Sequence, residues 1–192
     1  MTLEPYTYSK DAAEIIWKMC DSSEQFNIGP MSTVAGIIAE YAVKAMIANG
    51  ARHAIVDNGG DIALFSETTV NVGIYTGNHV TSQFALQIVP QDKIMGICTS
   101  SGKIGHSLSF GKTDAVTVLS YDVALADAAA TALGNRVTTG KDIVNAFLIL
   151  EHITGISAAM IIIDDTIGLW GKMPPIISAK VPYELITKGW RL

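Results

Sequence analysis

The spacing of apolar and polar residues predicts four helices in this chain. Apolar residues at helical spacing indicate an amphipathic helix over residues 11–19 and a longer helix from Ser32, its N-cap, to Ala48. An alanine-rich helix is predicted over residues 122–133, and another helix over residues 141–151. The second helix is expected to turn six apolar residues inward: Val34, Ile37, Ile38, Tyr41, Ala45 and Met46.

Short apolar runs bounded by turn residues predict strands between these helices and after them. Two of the runs flank the sequence Asp57-Asn-Gly-Gly-Asp61, which predicts a β-hairpin. Helices and strands do not alternate strictly. Their order therefore favours an α+β fold, with a mixed, largely antiparallel sheet packed against helices, over a doubly wound parallel fold. The predicted strands span residues 54–56, 62–65, 70–75, 84–89, 94–98, 115–119, 158–163 and 167–171.

The helix over residues 122–133 carries the residues most suggestive of chemistry. It places one carboxylate, Asp127, and one hydroxyl, Thr131, among small side chains. Residues four apart share a helix face, so these two oxygen ligands would suit Mg²⁺ and the close approach of a bulky ligand. In the alternative interpretation, Thr131 bonds to a carbonyl one turn earlier. Asp127 is then a solvated helix residue. If the metal site is real, replacing Asp127 by alanine is expected to abolish metal binding while costing little stability.

Composition limits the classes of protein to which the chain can belong. Its 192 residues are 49% hydrophobic and 16% charged, which indicates one globular domain over residues 1–192 rather than a disordered chain. The net charge is −5 and Lys and Arg do not cluster, so nucleic-acid binding is not expected. There are two cysteines, the amino terminus does not resemble a signal peptide, and the apolar run 156–163 is too short to cross a bilayer. We therefore expect a cytoplasmic protein without a membrane partner.

The turn of the predicted hairpin is rich in glycine. Asn58-Gly59 between two apolar strands is a strong hairpin signal, because both residues tolerate positive φ angles. The additional Gly60 and Asp61 leave bare backbone where a ligand ring or a phosphate could approach. The alternative is a turn without any ligand.

A second loop, residues 99–103, follows an apolar strand with the sequence Thr-Ser-Ser-Gly-Lys. It does not fit the phosphate loop of nucleotide triphosphatases, because Gly96 lies one residue too far away and Ile104 replaces the hydroxyl that would hold Mg²⁺. Its hydroxyls, glycine and lysine could still donate to a diphosphate, and the alternative is an ordinary polar turn. His106, which follows, is the only histidine of the chain among such donors.

Four segments resemble, in the same order, those of the ApbE family of flavin transferases. Ser32-Thr-Val-Ala-Gly36 resembles the family's Ser-Ser-Ile-Ala-Lys-Gly segment, and Val56-Asp-Asn-Gly-Gly-Asp-Ile62 resembles its Gly-Gly-(Asp/Glu)-Ile hairpin. Thr99-Ser-Ser-Gly102 resembles its Thr-Ser-Gly loop. The most specific likeness is that of Ala126-Asp-Ala-Ala-Ala-Thr-Ala132 to its Ala-Asp-x-x-Ala-Thr-Ala segment. Within the family, the chain is most similar to a small group from methanogenic archaea.

The resemblance implies a T-fold-like α+β fold and a pocket for a flavin nucleotide. In the family, Mg²⁺ is held by the helix Asp and Thr and by an alanine carbonyl, which correspond here to Asp127, Thr131 and Ala35. The family moves FMN from FAD onto a threonine hydroxyl of a partner protein and releases AMP. FAD or FMN and Mg²⁺ are thus the implied cofactors, and Asp127 and His106 the implied catalytic residues. The implied cofactor-binding residues are Asn58, Gly59, Gly60, Asp61, Thr99, Ser100, Ser101 and Gly102.

The chain departs from the family pattern at two of its segments. Gly36 follows Ala35 directly, without the family's lysine. The family's His-x-Ile-Asp-Pro-x-Thr-Gly stretch is reduced to His106-Ser-Leu-Ser-Phe-Gly111, so only His106 can be carried over as a functional residue. The amino-terminal part is expected to be shorter than in the family. These departures leave open a second hypothesis, a non-catalytic protein that binds a flavin or another ligand.

A third hypothesis is an accessory role in archaeal sulfur or homocysteine metabolism. The one residue that hints at this role is Cys98, which precedes the loop of residues 99–103, called the hydroxyl loop below. A free cysteine in a strand is, however, more often buried and inert. A homo-oligomer is also expected, because Trp170 and Trp190 lie among abundant apolar residues near the carboxyl end.

Overall fold

The computed structural model describes residues 3–77, 84–103 and 110–179, which form three layers. A six-stranded sheet lies in the middle, helices cover one of its faces, and a three-stranded sheet covers the other. The helices are α1 (Glu14–Glu24), α2 (Val34–Ala48), α3 (Val123–Gly134) and α4 (Ile143–Phe147), with short 3₁₀ helices at Pro30–Thr33, Gly140–Asp142 and Leu148–His152. The strands are β1 (His53–Asn58), β2 (Asp61–Ser66), β3 (Val70–Gly73), β4 (Phe84–Ile88), β5 (Met95–Ser100), β6 (Ala115–Ser120), β7 (Ile156–Ile163), β8 (Thr166–Gly171) and β9 (Ile176–Ser178).

Both sheets are antiparallel throughout the described residues. The large sheet has the order β1-β2-β5-β6-β7-β8 and the small sheet has the order β3-β4-β9. The predicted α+β fold with a largely antiparallel sheet packed against helices is therefore confirmed. Every predicted strand is present, with bounds that differ by no more than two residues.

Burial on both faces explains why the central strand β6 is an almost continuous apolar run. Successive residues of a strand point to opposite faces. Val116 and Val118 pack with the helices, whereas Ala115 and Leu119 pack with the small sheet. All six residues of β6 are buried. The neighbouring strand β5 packs against α3, and the candidate site lies where these two elements meet.

Several helix predictions need correction. The first helix runs over Glu14–Glu24 rather than 11–19, and the predicted helix 141–151 is divided between α4 and two 3₁₀ segments. Strand β9, which pairs with β4, is missed because three residues are too few to show a period.

The buried face of α2 also differs from the predicted one. Ile38 is 49% exposed, and Ala45 and Met46 are exposed as well, although all three are expected to point inward. The buried side of α2 consists instead of Gly36, Ile37, Ala39, Glu40 and Val43. Gly36 and Ala39 on this side permit close packing against the neighbouring elements.

The amino end of α2 is capped by a residue far away in sequence. Ser32 is not the N-cap: it lies in the preceding 3₁₀ turn, and its hydroxyl donates to Gly29 O at 2.7 Å. No side chain from the flanking residue Thr33 caps the helix either. Instead, the free N–H of Gly36 in the first turn donates to Asp127 Oδ2 of α3 at 2.8 Å. The carboxylate thereby meets the positive end of the helix dipole.

Gly36 allows α2 and α3 to approach closely at this point. A Cβ atom at Gly36 would lie 2.9 Å from Asp127 Cβ and 3.0 Å from Val123 O, both closer than ordinary van der Waals contact. Since one of these atoms belongs to the backbone of α3, a side chain could be accommodated only by moving the two helices apart.

One stretch among the described residues, Pro30–Ala48, is long and apolar enough to cross a membrane by length and composition, with a mean hydropathy of 1.3. The same features are found in core helices of proteins that do not enter membranes. Within the structure, α2 packs by one side on α3 and on the strands β1 and β2.

Replacing Gly36 by alanine is expected to lower the free energy of unfolding by about 1–3 kcal/mol, because it overpacks the contact between α2 and α3. Denaturant unfolding measures the change. The control is Gly134→Ala in α3, whose added Cβ would meet nothing closer than Ser100 Oγ at 3.6 Å. The control should retain wild-type stability, and equal stability of the two variants would contradict the account of this contact.

Replacing Asp142 by alanine is expected to destabilise the protein in a pH-dependent way. Asp142 Oδ2 accepts hydrogen bonds from the backbone N–H groups of Thr138 and Thr139, which lower the pKa of Asp142 from 3.8 to about 2. A depressed carboxylate pKa stabilises the fold above pH 4, and this contribution is lost as the pH falls through about 2.

Thermal melting of wild type and Asp142→Ala between pH 7 and pH 2 tests this expectation. The two melting curves should be well separated at neutral pH and should converge in acid. Glu151→Ala, which removes an exposed acid of the same region, should show no such convergence. A constant difference between wild type and Asp142→Ala at every pH would show that the charge of Asp142 contributes nothing.

Candidate functional site

The small-residue helix α3 forms the wall on which the candidate site is built. Eleven of its twelve residues are buried, and the exception, Thr131, is half-buried. Asp127 is only 7% exposed, so the interpretation of Asp127 as an exposed helix residue is wrong. Asp127 lies where α2 packs on α3. The spacing of residues along α3 alone does not predict this contact with another helix. Among the described residues, no hydrogen bond joins Thr131 Oγ1 to a carbonyl one turn earlier, so the simple structural role for Thr131 is not observed.

The glycine hairpin lies against the start of α2. Its two turn residues are Gly59 and Gly60, with φ angles of 73° and 104°, whereas Asn58 ends β1. The turn is therefore displaced by one residue from the predicted Asn58-Gly59 pair. This displacement frees the Asn58 side chain, whose Nδ2 donates to Ala35 O at 3.2 Å. The hairpin thus holds the carbonyl that the family resemblance assigns to metal binding.

The hairpin also contacts strand β5, which carries the hydroxyl loop. Thr99 N donates to Gly60 O at 3.1 Å, and Asp61 of β2 is the ladder partner of Cys98. Thr99 Oγ1 lies 2.9 Å from Thr117 Oγ1 on β6, so its hydroxyl is tied to the sheet. Ala35, Asn58, Gly60, Asp61, Thr99 and Asp127 are linked by this chain of contacts.

Two carboxylates influence each other at this place. The pKa of Asp61 is raised from 3.8 to about 7, chiefly by burial and further by Asp57, while hydrogen bonds from Cys98 and Thr99 oppose the rise. Burial also raises the pKa of Asp127 well above its ordinary value, and the charge of Asp61 adds to the rise. The hydrogen bond from Gly36 works in the opposite direction. The site therefore holds two neighbouring carboxyl groups that resist ionisation.

Cys98 lies beside both carboxylates but is poorly suited to act as a nucleophile. It is fully buried in β5, and its Sγ is 3.5 Å from Val123 O. Burial raises the pKa of the Cys98 thiol, and the charges of Asp61 and Asp127 raise it further. A thiol under these conditions stays protonated and unreactive, which agrees with the expected buried, inert cysteine.

The remaining residues of the hydroxyl loop lie away from Asp127. Ser100 lies near Gly134, seven residues and therefore about 10 Å further along α3. Ser101 Oγ and Gly102 N both donate to Thr113 O, at 3.4 and 2.9 Å. The loop is thus distributed along the length of α3 rather than gathered around its acid.

Lys103 is committed to other residues and does not serve as a free phosphate ligand. Its Nζ lies 3.0 Å from Asp114 Oδ1 and 2.9 Å from Asp164 Oδ1, at the start of β6 and in the turn after β7. His106 lies in residues 104–109, outside the described residues, and its predicted catalytic role stays a prediction. The ion pairs of Lys103 depend on residues distant in sequence, and the sequence pattern gave no signal for them.

The donor set favours a hard cation over a closed transition-metal cage. Within residues 3–77, 84–103 and 110–179, no group of three or more His, Cys, Asp and Glu is arranged to hold a metal ion. The Asp127 carboxylate accepts from Gly36 N, next in the chain to the Ala35 carbonyl, and Thr131 lies one turn further along α3. Mg²⁺ is bound by such donors, usually one or two carboxylates completed by water and substrate phosphates.

Comparison with known proteins gives matches over most of the chain. Residues 1–147 match the family model described as AbpE bacteria. The UPF0280 protein of Methanosarcina acetivorans is 50% identical over 189 residues, which are 98% of this chain and 75% of that protein. The UPF0280 protein of Methanocella arvoryzae is 48% identical over 188 residues, which are 98% of this chain and 77% of that protein.

Two solved structures are also similar to the chain. The apo flavinyl transferase ApbE of Pseudomonas stutzeri gives a TM-score of 0.48 at 17% identity, covering 85% of this chain and 52% of that one. The flavin transferase ApbE from Vibrio cholerae gives a TM-score of 0.49 at 15% identity, covering 74% of this chain and 50% of that one. The chain thus spans about half the length of these solved structures.

The family match includes all four segments on which the resemblance to ApbE depends, because these lie between Ser32 and Leu133 and the match extends to residue 147. The archaeal relatives cover nearly the whole chain at about half identity. The resemblance predicted from the sequence is therefore confirmed, and the chain belongs to the AbpE bacteria family and is a relative of the archaeal UPF0280 proteins.

Proposed function

We propose that the chain binds a flavin nucleotide with Mg²⁺ beside Asp127 and transfers FMN from FAD to a hydroxyl group. One observation carries the proposal: Asp127 is buried against α2 near Asp61, whose charge raises the pKa of Asp127, and neither carboxyl forms an ion pair with a described Lys, Arg or His. Carboxylates removed from water are costly unless a cation compensates them. A divalent cation with a diphosphate would complete this site.

The oxygen atoms at the site fit Mg²⁺ without breaking the contacts described above. Asp127 Oδ2 accepts from Gly36 N, which leaves Oδ1 for a metal. Ala35 O accepts from Asn58 Nδ2 and retains a second lone pair. Thr131 Oγ1 lies one turn from Asp127 on α3 and would be the third protein ligand. The bound Mg²⁺ would neutralise charge on the diphosphate during phosphoryl transfer.

The chain's own residues position the ligand and keep the site in shape. Gly59 and Gly60 present backbone without side chains, which leaves room for a flat ring or a phosphate. Thr99 holds the hairpin against β5, because its N–H is bonded to Gly60 O. Asn58 fixes the direction of the Ala35 carbonyl. These contacts pre-organise the site before any ligand binds, as catalysis by positioning requires.

The acceptor of the proposed transfer is a hydroxyl of a partner protein or of a small molecule. Family membership and the four matched segments support this reaction. Gly36 follows Ala35 directly, without the lysine that precedes the glycine in the family pattern, and this difference favours a second candidate function, flavin binding without turnover. AMP release distinguishes the two functions, since binding alone leaves FAD intact.

Asp127→Asn is expected to remove Mg²⁺-dependent FAD binding while raising stability in the absence of metal by about 1 kcal/mol. Asparagine keeps an oxygen that accepts from Gly36 N but removes the buried acid. Isothermal titration with FAD in Mg²⁺ and in EDTA measures binding, and thermal melting in EDTA measures stability.

The matched control is Asp114→Asn, because Asp114 is also 7% exposed but is paired with Lys103 at 3.0 Å. This variant should lose about 1–3 kcal/mol of stability and keep Mg²⁺-dependent FAD binding. Undiminished Mg²⁺-dependent binding by Asp127→Asn would remove Asp127 from the metal site. A loss of folding in Asp127→Asn would make it a purely structural carboxylate.

Incubation of the purified protein with FAD, Mg²⁺ and hydroxyl-bearing acceptors should release AMP, and EDTA should abolish the release. Chromatographic measurement of AMP gives the rate, and Asp127→Asn should reduce it by at least about 100-fold, as for loss of a group that stabilises transition-state charge. FAD binding without AMP would assign the protein to the binding function, and absence of both would reject the proposal.

A further inference from the structure

We propose that β8 is the contact strand of a homodimer, in which two copies of β8 pair antiparallel across a two-fold axis. The two large sheets would then form one continuous sheet. This inference concerns the opposite side of the large sheet from β1 and does not depend on the proposed flavin chemistry. It gives the expected homo-oligomer a specific interface, of which Trp170 is part and in which Trp190, outside the described residues, is not used.

The outer side of β8 has no partner among the described strands, since β8 is the last strand of the large sheet. An open edge presents unpaired N–H and C=O groups, and natural proteins usually protect such edges with charges, proline or bulges. The sequence of β8, TIGLWG, has no charge and no proline, and its ladder with β7 runs without a bulge from Ile163↔Thr166 to Ala158↔Gly171. As far as residues 3–77, 84–103 and 110–179 show, its edge is therefore regular and unprotected.

The opposite edge of the same sheet is protected in the ordinary way. Strand β1 carries His53 and Asp57, and Arg52 at its start forms an ion pair with Glu67 at 3.0 Å. Charges of this kind oppose pairing with another strand. The contrast between the two edges indicates that β8, and not β1, is built to accept a strand.

Exposed apolar side chains accompany the open edge. Ile167 is 43% exposed and Leu169 is 50% exposed on β8 itself. Val144 on α4 and Leu148 after it are 73% and 50% exposed, and α4 packs on β8, where Ile143 lies close to Gly168. With the two-fold axis at Gly168, antiparallel pairing places Ile167 of one copy opposite Leu169 of the other, a favourable cross-strand pair.

Charge complementarity selects a second copy in antiparallel orientation as the occupant. An acidic turn, Asp164–Asp165, precedes β8, and a basic residue, Lys172, follows it; all three are exposed. Antiparallel pairing of two identical strands brings the acidic turn of each copy, in which Asp164 also pairs with Lys103 of its own chain, to Lys172 of the other. Parallel pairing would place acid beside acid. A two-fold axis thus places opposite charges together at both ends of the paired strands, because an isologous interface repeats each contact twice.

Sedimentation of the full chain from low to high micromolar concentration tests the pairing, and a monomer–dimer equilibrium is expected. Leu169→Lys should weaken self-association by more than about tenfold, because an ammonium group would lose water at the interface without a partner. The matched control is Ile55→Lys on β1, where Ile55 is 48% exposed, and it should dimerise like wild type.

A charge exchange tests the orientation independently of burial. Lys172→Glu alone should weaken the dimer, because it places a third acid beside Asp164 and Asp165. The double variant Asp165→Lys with Lys172→Glu should restore association towards the wild-type value. A protein that stays monomeric at every concentration would overturn the proposal. A dimer lost in Ile55→Lys but retained in Leu169→Lys would overturn it as well.

Discussion

The hydrogen bond between Gly36 N and Asp127 Oδ2 is the contact on which the candidate site depends. It supplies the missing cap of α2, and it holds the carboxylate of α3, which is only 7% exposed, against the first turn of α2. Because it requires the two helices to approach within the space of a glycine, no other residue serves at position 36 without moving them. Ala35, the proposed metal ligand next to it, is placed by the same contact.

The site is electrostatically incomplete by itself. Asp61 and Asp127 both resist ionisation because of burial, and the charge of Asp61 raises the pKa of Asp127 further. A fold selected only for stability would replace one of them by a neutral or apolar residue, since buried charges without partners are destabilising. Retention of both is understood if a cation is bound with the substrate, so that function is gained at the expense of stability in the free protein.

The sequence predicts the secondary-structure elements of this site better than the contacts that each element makes with the others. The alanine-rich helix, the glycine hairpin and the strand before Thr99 are local patterns, and each is observed close to its predicted position. The burial of Asp127 is not local, because it results from α2, whose contact residue Gly36 lies 91 positions away. The same reason explains why Ser32 is a plausible but incorrect cap. The pairing of Lys103 with Asp164 likewise depends on strand order, which no spacing along the chain reveals.

A crystal structure of the protein with FAD and Mn²⁺ in place of Mg²⁺ tests the central claim most directly, since Mn²⁺ is located by its anomalous scattering. The account predicts an anomalous peak coordinated by Asp127, Thr131 and Ala35 O, with the FAD diphosphate on the same ion and next to the Gly59–Gly60 turn. FAD bound elsewhere, with no ion at Asp127, would contradict it.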